Sequence, residues 1–228
     1  MIDTGNSPPR TSMAEYVLAV LREQIATGVL APGQHLREME LAASLDVSRG
    51  PVREALAFLE SEGQVEIRRH RGAFVSVLTQ VDVEEVHTFR AAIESLAAER
   101  ASTRMTPAHF AELDRVLDAM KETSGSVAPQ EAVRLDLAFH DVLYDAADHQ
   151  RLSRAWVSIR SQVFFFLHTR NVNFPDFPTV GYPEHYELRM ALAQGDPVLA
   201  RAAAEDHLSG AYTRLRQLEL PTESDRPE

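Results

Sequence analysis

Val47-Ser48-Arg49-Gly50-Pro51-Val52-Arg53-Glu54-Ala55-Leu56 is the stretch on which the reading of this chain turns. Ser48 can cap a helix, Pro51 sits in its first turn, and Arg49 and Arg53 fall one turn apart. Two arginines on the exposed first turn of a helix suit a phosphate or a guanine edge. The residues on either side decide whether this helix reads DNA.

Upstream, Tyr16, Val17, Val20, Leu21 and Ile25 recur at helical spacing between Ala14 and Gly28. Pro32-Gly33 marks a turn, His35-Leu36 a very short strand, and Glu38 to Leu45 a second helix. The helix opened by Arg49 runs to Gly63. Polar and apolar residues then alternate from Gln64 to Arg69, His70-Arg71-Gly72 forms a tight turn, and Ala73 to Leu78 returns as a strand. Three helices followed by a β-hairpin, with a short helix before an arginine-bearing one, is the layout of a winged helix-turn-helix over residues 13–78. The plainer reading is a small α+β domain that binds no DNA. Turn chemistry, helix order and the basic clusters all favour the DNA reader.

Charge distribution agrees. The whole chain is acidic, at −11, which argues against non-specific coating of nucleic acid. Residues 1–78 carry 8 Arg against 10 Asp/Glu, whereas residues 79–228 carry 15 Lys/Arg against 24 Asp/Glu. The N-terminal part is thus nearly neutral, with local clusters at Arg49/Arg53 and Arg68-Arg69-His70-Arg71. A DNA reader needs such a local basic face rather than a basic whole. There is no cysteine, no apolar signal core and no apolar run of membrane-spanning length, so a cytoplasmic location is expected. Residues 1–12 read as a disordered leader and 221–228 as a disordered tail.

After Thr79 strand signals vanish. Amphipathic patterns predict helices over 82–103, from Pro107 onward, over 131–147, 150–169, 183–194 and 197–217. Asn171 to Pro183, with three prolines, reads as a loop. Residues 79–220 therefore predict an all-helical bundle. On the 131–147 helix the inward stripe is Val133, Asp136, Leu137, His140, Leu143 and Tyr144. An unpaired buried Asp136 costs several kcal/mol, so it needs a partner. His185 shares a stripe with Leu188 and Leu192, and His207 one with Ala200, Ala204, Ala211 and Leu218. Three histidines and one aspartate on buried faces can converge on a divalent metal, and that donor set suits Zn²⁺, Ni²⁺ or Mn²⁺. Taken singly, each inward histidine is more often a hydrogen-bonded core residue, and Asp136–His140 alone is also a helix-surface pair.

Leu36-Arg37-Glu38, Leu41-Ala42, Val47 to Leu56 and Leu59-Glu60-Ser61-Glu62-Gly63 together resemble the DNA-binding signature of GntR-family bacterial transcription regulators. Arg90-Ala91-Ala92-Ile93-Glu94, Asp136-Leu137-Ala138-Phe139-His140, Glu184-His185, Gly195-Asp196 and Asp206-His207-Leu208 resemble the FCD effector domain of the fatty-acid-regulator subfamily. The resemblance implies a homodimer reading a pseudo-palindromic operator, with a helical bundle that holds a metal and a small carboxylate effector. Carried over by residue, it implies operator contacts at Ser48, Arg49, Gly50 and Arg53 and a wing tip at His70, Arg71 and Gly72. Asp136, His140, His185 and His207 become the metal ligands. Arg90 becomes a candidate partner of the effector carboxylate, the other reading being a helix-surface arginine paired with Glu94. Two positions depart from the family pattern. Met39 stands where many members have a side chain able to reach DNA, so that either Arg37 takes over that contact or the operator preference differs. Gly50 lacks the hydroxyl of the Thr often found there.

A repressor released from its operator by a carboxylate is the expected function. A regulator for which the metal itself is the signal shares the fold and the site. A metal-dependent hydrolase is a remote alternative: the chain has no His-Glu-x-x-His, no nucleophile elbow and no spare general base, and an enzyme leaves Arg49 and Arg53 unexplained.

Overall fold

The first helix, α1 (Met13–Ala26), is held at its start by a capping box: Ser12 accepts from the Glu15 amide, and Glu15 accepts in return from the Ser12 amide. Ser12, expected at the end of the leader, is therefore the helix cap. A computed structural model describes residues 12–123, 127–217 and 220. The rest of the expected leader, the Ser124–Ser126 loop, Leu218 and the expected tail lie outside the described residues. The chain divides into two units, Met1–Val77 and Leu78–Glu228.

In the first unit, β1 (His35–Leu36), α2 (Glu38–Ser44), α3 (Arg49–Ser61), β2 (Val65–Arg68) and β3 (Gly72–Val75) follow α1. Val17, Leu21 and Ile25 of α1 meet the opposite stripe, Val52, Ala55, Leu56 and Leu59 of α3, and all are buried. Burying each of the large ones contributes about 1.5–3 kcal/mol. The sheet order is β1-β3-β2, antiparallel throughout, with Val65 opposite Val75 and Ile67 opposite Ala73. Leu36, Val65, Ala73 and Val75 point into the same core. This is the winged helix-turn-helix expected from the sequence.

The second unit is all helical: α4 (Gln80–Ser102), α5 (Pro107–Glu122), α6 (Pro129–Ala146), α7 (Gln150–Asn173), α8 (Phe177–Ala193) and α9 (Pro197–Leu215). Thr79 and Thr106 start α4 and α5 with reciprocal caps. Helix α6 is central because it is apolar on two sides. Phe139, Leu143 and Ala146 pack with Leu113, Leu117, Met120, Leu188 and Leu192. Val133, Leu137 and Tyr144 pack with Trp156, Ile159 and Val163. Ala97, Ala98 and Ala101 on α4 and Ala200 and Ala204 on α9 are fully buried, and their small side chains let those helices approach closely.

The expected loop from Asn171 to Pro183 is corrected to three residues. Helix α7 continues to Asn173, and α8 begins at Phe177 rather than Pro183. Pro178 falls in the first turn, where no amide is needed. Pro183 lies inside the helix and removes one backbone bond, a cost of about 3 kcal/mol. Burial of Phe177, His185, Leu188 and Leu192 along the same helix offsets it. Gly181 makes room, since a Cβ there would stand 2.9 Å from the Phe177 ring.

Candidate functional site

Two groups of side chains carry the chemistry, one in each unit. In the first, Ser48 occupies the N-cap position of α3 in an extended conformation, but its side chain makes no cap hydrogen bond. Ser48, Arg49 and Gly50 are exposed, so the positive end of the helix and a free hydroxyl face outward. A Cβ on Gly50 would meet nothing within 4 Å. Glu38, in the first turn of α2, grips both arginines. Arg49 Nη2 donates to Glu38 Oε2 at 2.9 Å, and Arg53 donates from Nε at 3.1 Å and from Nη2 at 2.8 Å. The Arg53 and Arg49 guanidiniums hold the Glu38 carboxyl down at about 2. Arg37 pairs with Glu40 at 2.9 Å on the surface, and Met39 is exposed beside them. These side chains share a groove with His35 and Gly72.

The wing turns at His70 and Gly72, whose φ values are +62° and +94°. Gly72 is required twice over. Its backbone is left-handed, and a Cβ would lie 2.7 Å from His35 Nε2. His35 is itself stacked on Phe74. His70, Arg71 and Gly72 are exposed.

In the helical unit, α6, α8 and α9 bring Asp136, His140, His185 and His207 together. The ligand atoms of the three histidines lie within 4.8 Å of one another. His207 Nε2 is 3.2 Å from His140 Nε2, Asp136 Oδ1 is 3.6 Å from His140 Nε2, and Asp136 Oδ2 is 3.4 Å from His185 Nε2. Two ligands held at about 2.0–2.2 Å from one ion are roughly 3.0–3.5 Å apart at octahedral or tetrahedral angles. The separations are close to those of a coordination shell; the two Asp136 contacts are not hydrogen bonds, whereas His207 Nε2 and His140 Nε2 are within hydrogen-bond distance of each other. Accordingly, Asp136 Oδ1 and His185 Nε2 are buried without a hydrogen-bond partner among the described residues. Such orphaned atoms are costly unless something else satisfies them.

Their neighbours orient the rings. His185 Nδ1 lies 2.7 Å from the Gly181 carbonyl, which only accepts, so Nδ1 carries the proton and Nε2 a lone pair. His140 Nδ1 lies 2.7 Å from Glu94 Oε1, off the line of a good hydrogen bond, and its Nε2 faces His207 Nε2 at 3.2 Å. Burial, with His185 and His140 alongside, keeps His207 well below the usual imidazole range and therefore neutral. Burial pushes Asp136 up, but His185, His140 and Arg90 overrule it and hold it far below the usual carboxylate range. The group thus offers three imidazole nitrogens and one carboxylate, a donor set that fits Zn²⁺, Ni²⁺ or Mn²⁺.

Arg90 is not the helix-surface arginine of the plainer expectation. It does pair with Glu94, Nε to Oε2 at 3.0 Å, but both residues are buried rather than on the helix surface. Arg90 also lines the cavity that contains Asp136, His185 and His207. Glu94 was not singled out as a site residue, although it shares a stripe of α4 with Arg90, Ala97 and Ala101. Arg170 and Arg214 line the same cavity and were missed too, although Arg214 continues the α9 stripe of His207 and Ala211. Burial pushes Glu94 up, yet Arg90 and His140 hold it at about 2. Its folded value lies below its ordinary 4.5, so its contribution to stability is present above about pH 4.5 and is lost as pH falls toward 2. Urea midpoints of the wild-type chain and Glu94→Gln, measured from pH 6 to pH 2, should differ most at pH 6 and converge in acid.

Exposed arginines at the start of the third helix of a winged helix-turn-helix are the arrangement of a DNA-binding module. Comparison with known proteins is in agreement. Residues 13–75 match the bacterial regulatory proteins of the gntR family, and residues 85–210 match the FCD domain. The chain is 32% identical over 206 residues to the "Probable D-xylose utilization operon transcriptional repressor" of Paenarthrobacter nicotinovorans, covering 90% of each. It is 28% identical over 212 residues to the HTH-type transcriptional repressor RspR of Escherichia coli K12, covering 92% of each. A GntR-type regulator structure from Rhodococcus sp. RHA1 superposes with a TM-score of 0.68 at 25% identity, covering 91% of this chain and 99% of that one. The chain belongs to the GntR family of bacterial transcription regulators and carries an FCD domain. It is a DNA-binding regulator, not an enzyme.

Proposed function

We propose that this regulator is a repressor whose operator affinity is set by a small carboxylate bound at a metal in the helical bundle. The observation that carries the reading is the cluster in which His207 lies 3.2 Å from His140, Asp136 lies 3.6 Å from His140 and 3.4 Å from His185, and the three imidazoles offer ligand atoms within 4.8 Å of one another, beside the buried Arg90. Asp136 and the three histidines would hold the ion, which would supply positive charge to attract an oxygen ligand. Glu94 and the Gly181 carbonyl orient two of the imidazoles. Arg90, its Nη2 without a hydrogen-bond partner among the described residues, receives the carboxylate.

Two copies of the chain set two α3 helices on a pseudo-palindromic operator, with Ser48, Arg49, Gly50 and Arg53 in the major groove. Arg37 contacts the backbone beside Met39, and His70, Arg71 and Gly72 of the wing follow the adjacent groove. The repressor name carried by the relatives above supports the direction of control. By linkage, effector and operator change each other's affinity by the same factor, commonly about 5–150-fold.

Operator binding measured by fluorescence anisotropy tests this. Zn²⁺, Ni²⁺ or Mn²⁺ alone should leave the affinity nearly unchanged, and a small carboxylate added to the metal-loaded protein should lower it at least about 5-fold. A full response to metal alone would make the ion itself the signal. No response to any carboxylate in the presence of metal would overturn the effector reading.

A further inference from the structure

Glu38 is more buried than the two arginines it holds: its side chain is 29% exposed, against 56% for Arg49 and 64% for Arg53. It opens α2 directly after the N-cap residue Arg37, and the positive end of that helix favours a carboxylate there. Arg53 commits Nε and Nη2 to the two Glu38 oxygens at 3.1 and 2.8 Å, and Arg49 commits Nη2 to one of them at 2.9 Å. A guanidinium is a rigid planar fork of N–H donors. With its Nε edge bound, Arg53 keeps Nη1 and the outer hydrogen of Nη2 for another acceptor, and among the described residues no second partner takes them. The carboxylate, held at about 2 by the guanidiniums, stays ionised at neutral pH, so the trio carries one net positive charge in place of two.

We propose that Glu38 is a positioning residue for base reading: it holds the Arg53 fork, and by one bond that of Arg49, so that the open N–H edge meets guanine, and it cancels charge that would otherwise bind the phosphates of any sequence. The inference rests on the docking of α3 set out above and adds to it the residue that separates operator from random DNA. Guanine presents O6 and N7 as two acceptors in one plane, so a fork already fixed in plane loses less side-chain freedom on meeting them. A phosphate is met equally well from many directions, and binding to random duplex follows positive charge alone. Fixing the fork therefore favours the operator, while partial neutralisation weakens what is common to all DNA. Glu40 supplies the contrast. It lies on the same helix and lines the same groove, but it accepts from Arg37 at 2.9 Å and, among the described residues, from neither Arg49 nor Arg53.

The test uses the full chain and a duplex that the wild-type chain selects from a random library, set against unselected duplex of the same length in anisotropy titrations. Glu38→Gln should raise affinity for the unselected duplex and lower the ratio of selected to unselected binding at least about 5-fold. Glu40→Gln removes the same charge from the same groove and should strengthen both DNAs alike, leaving the ratio as it was. Exchange of the selected guanines for deazaguanine, which lacks the N7 acceptor, should weaken the wild-type chain at least about 5-fold and Glu38→Gln by less. This last arm needs no variant for its first half, so it stands even if Glu38→Gln folds poorly. A ratio unchanged in Glu38→Gln, an equal fall in Glu40→Gln, or a wild-type chain indifferent to deazaguanine would overturn the role of Glu38. If Arg49→Ala and Arg53→Ala weaken binding to the selected duplex in those cases, the docking of α3 still stands; if both bind it as the wild type does, the docking falls as well.

Discussion

His185→Ala is expected to empty the helical unit of metal. Its ring is almost wholly buried, with Nδ1 committed to the Gly181 carbonyl and Nε2 facing Asp136 Oδ2 at 3.4 Å. Nothing else among the described residues is placed to take over from Nε2. Disturbing even a residue that only orients a ligand typically costs 10–100-fold in metal affinity, so deleting the ligand itself should cost at least about 100-fold. The loss has a second signature. A metal that binds only the folded chain adds about 2.7 kcal/mol at a concentration one hundred times its dissociation constant. Added Zn²⁺ should therefore raise the melting temperature of the wild-type chain and leave that of His185→Ala almost unmoved. Elemental analysis after dialysis gives the direct readout, with His207→Ala as the companion variant and His70→Ala, in the wing, as the control that keeps its metal. Full occupancy in both His185→Ala and His207→Ala would remove the site.

What the chain revealed in advance followed the reach of its local patterns. Asp136 and His140 stand one turn apart on a stripe otherwise made of Val133, Leu137, Leu143 and Tyr144, so periodicity alone marked them as polar groups in an apolar place. His185 and His207 were found the same way. Glu94 was harder to see. Its role depends on His140, forty-six residues away on another helix, and only the fold brings them to 2.7 Å. Arg170 and Arg214 were hidden for a related reason, because a long cationic side chain near a helix end ordinarily points to water. The start of α8 was misread because proline is a strong breaker on average. Pro178 falls where it breaks nothing, and Pro183 is carried by the burial of its neighbours. The winged helix was legible nearly to its boundaries, since short helices, a hairpin turn and a helix cap are all local features. Ser48 was the exception in detail, a cap by position whose hydroxyl bonds nothing in the helix.

Arg53→Ala should cost more operator affinity than Arg49→Ala, although both arginines stand on the same exposed turn. Loss of one base or phosphate contact costs about 1–3 kcal/mol, or roughly 5–150-fold in affinity. The difference between the two variants lies in Glu38. Arg53 holds that carboxylate with two hydrogen bonds and is the larger cause of its low pKa, whereas Arg49 contributes one bond. On the proposed docking, removing Arg53 would delete a DNA contact and also leave Glu38 half-neutralised, its negative charge facing phosphate. Removing Arg49 leaves the Arg53–Glu38 pair whole. Because the three side chains form one network, the single effects should not add in Arg49→Ala/Arg53→Ala. Glu38→Gln should recover part of the loss in the Arg53→Ala background and little in the Arg49→Ala background. Anisotropy titrations with operator and with random duplex, each at two salt concentrations, separate the contributions. A lost phosphate contact lowers the salt slope by about 0.9 for both DNAs, whereas a lost base contact weakens the operator alone. Operator affinity unchanged in both single variants would sink the assignment of α3 as the recognition helix.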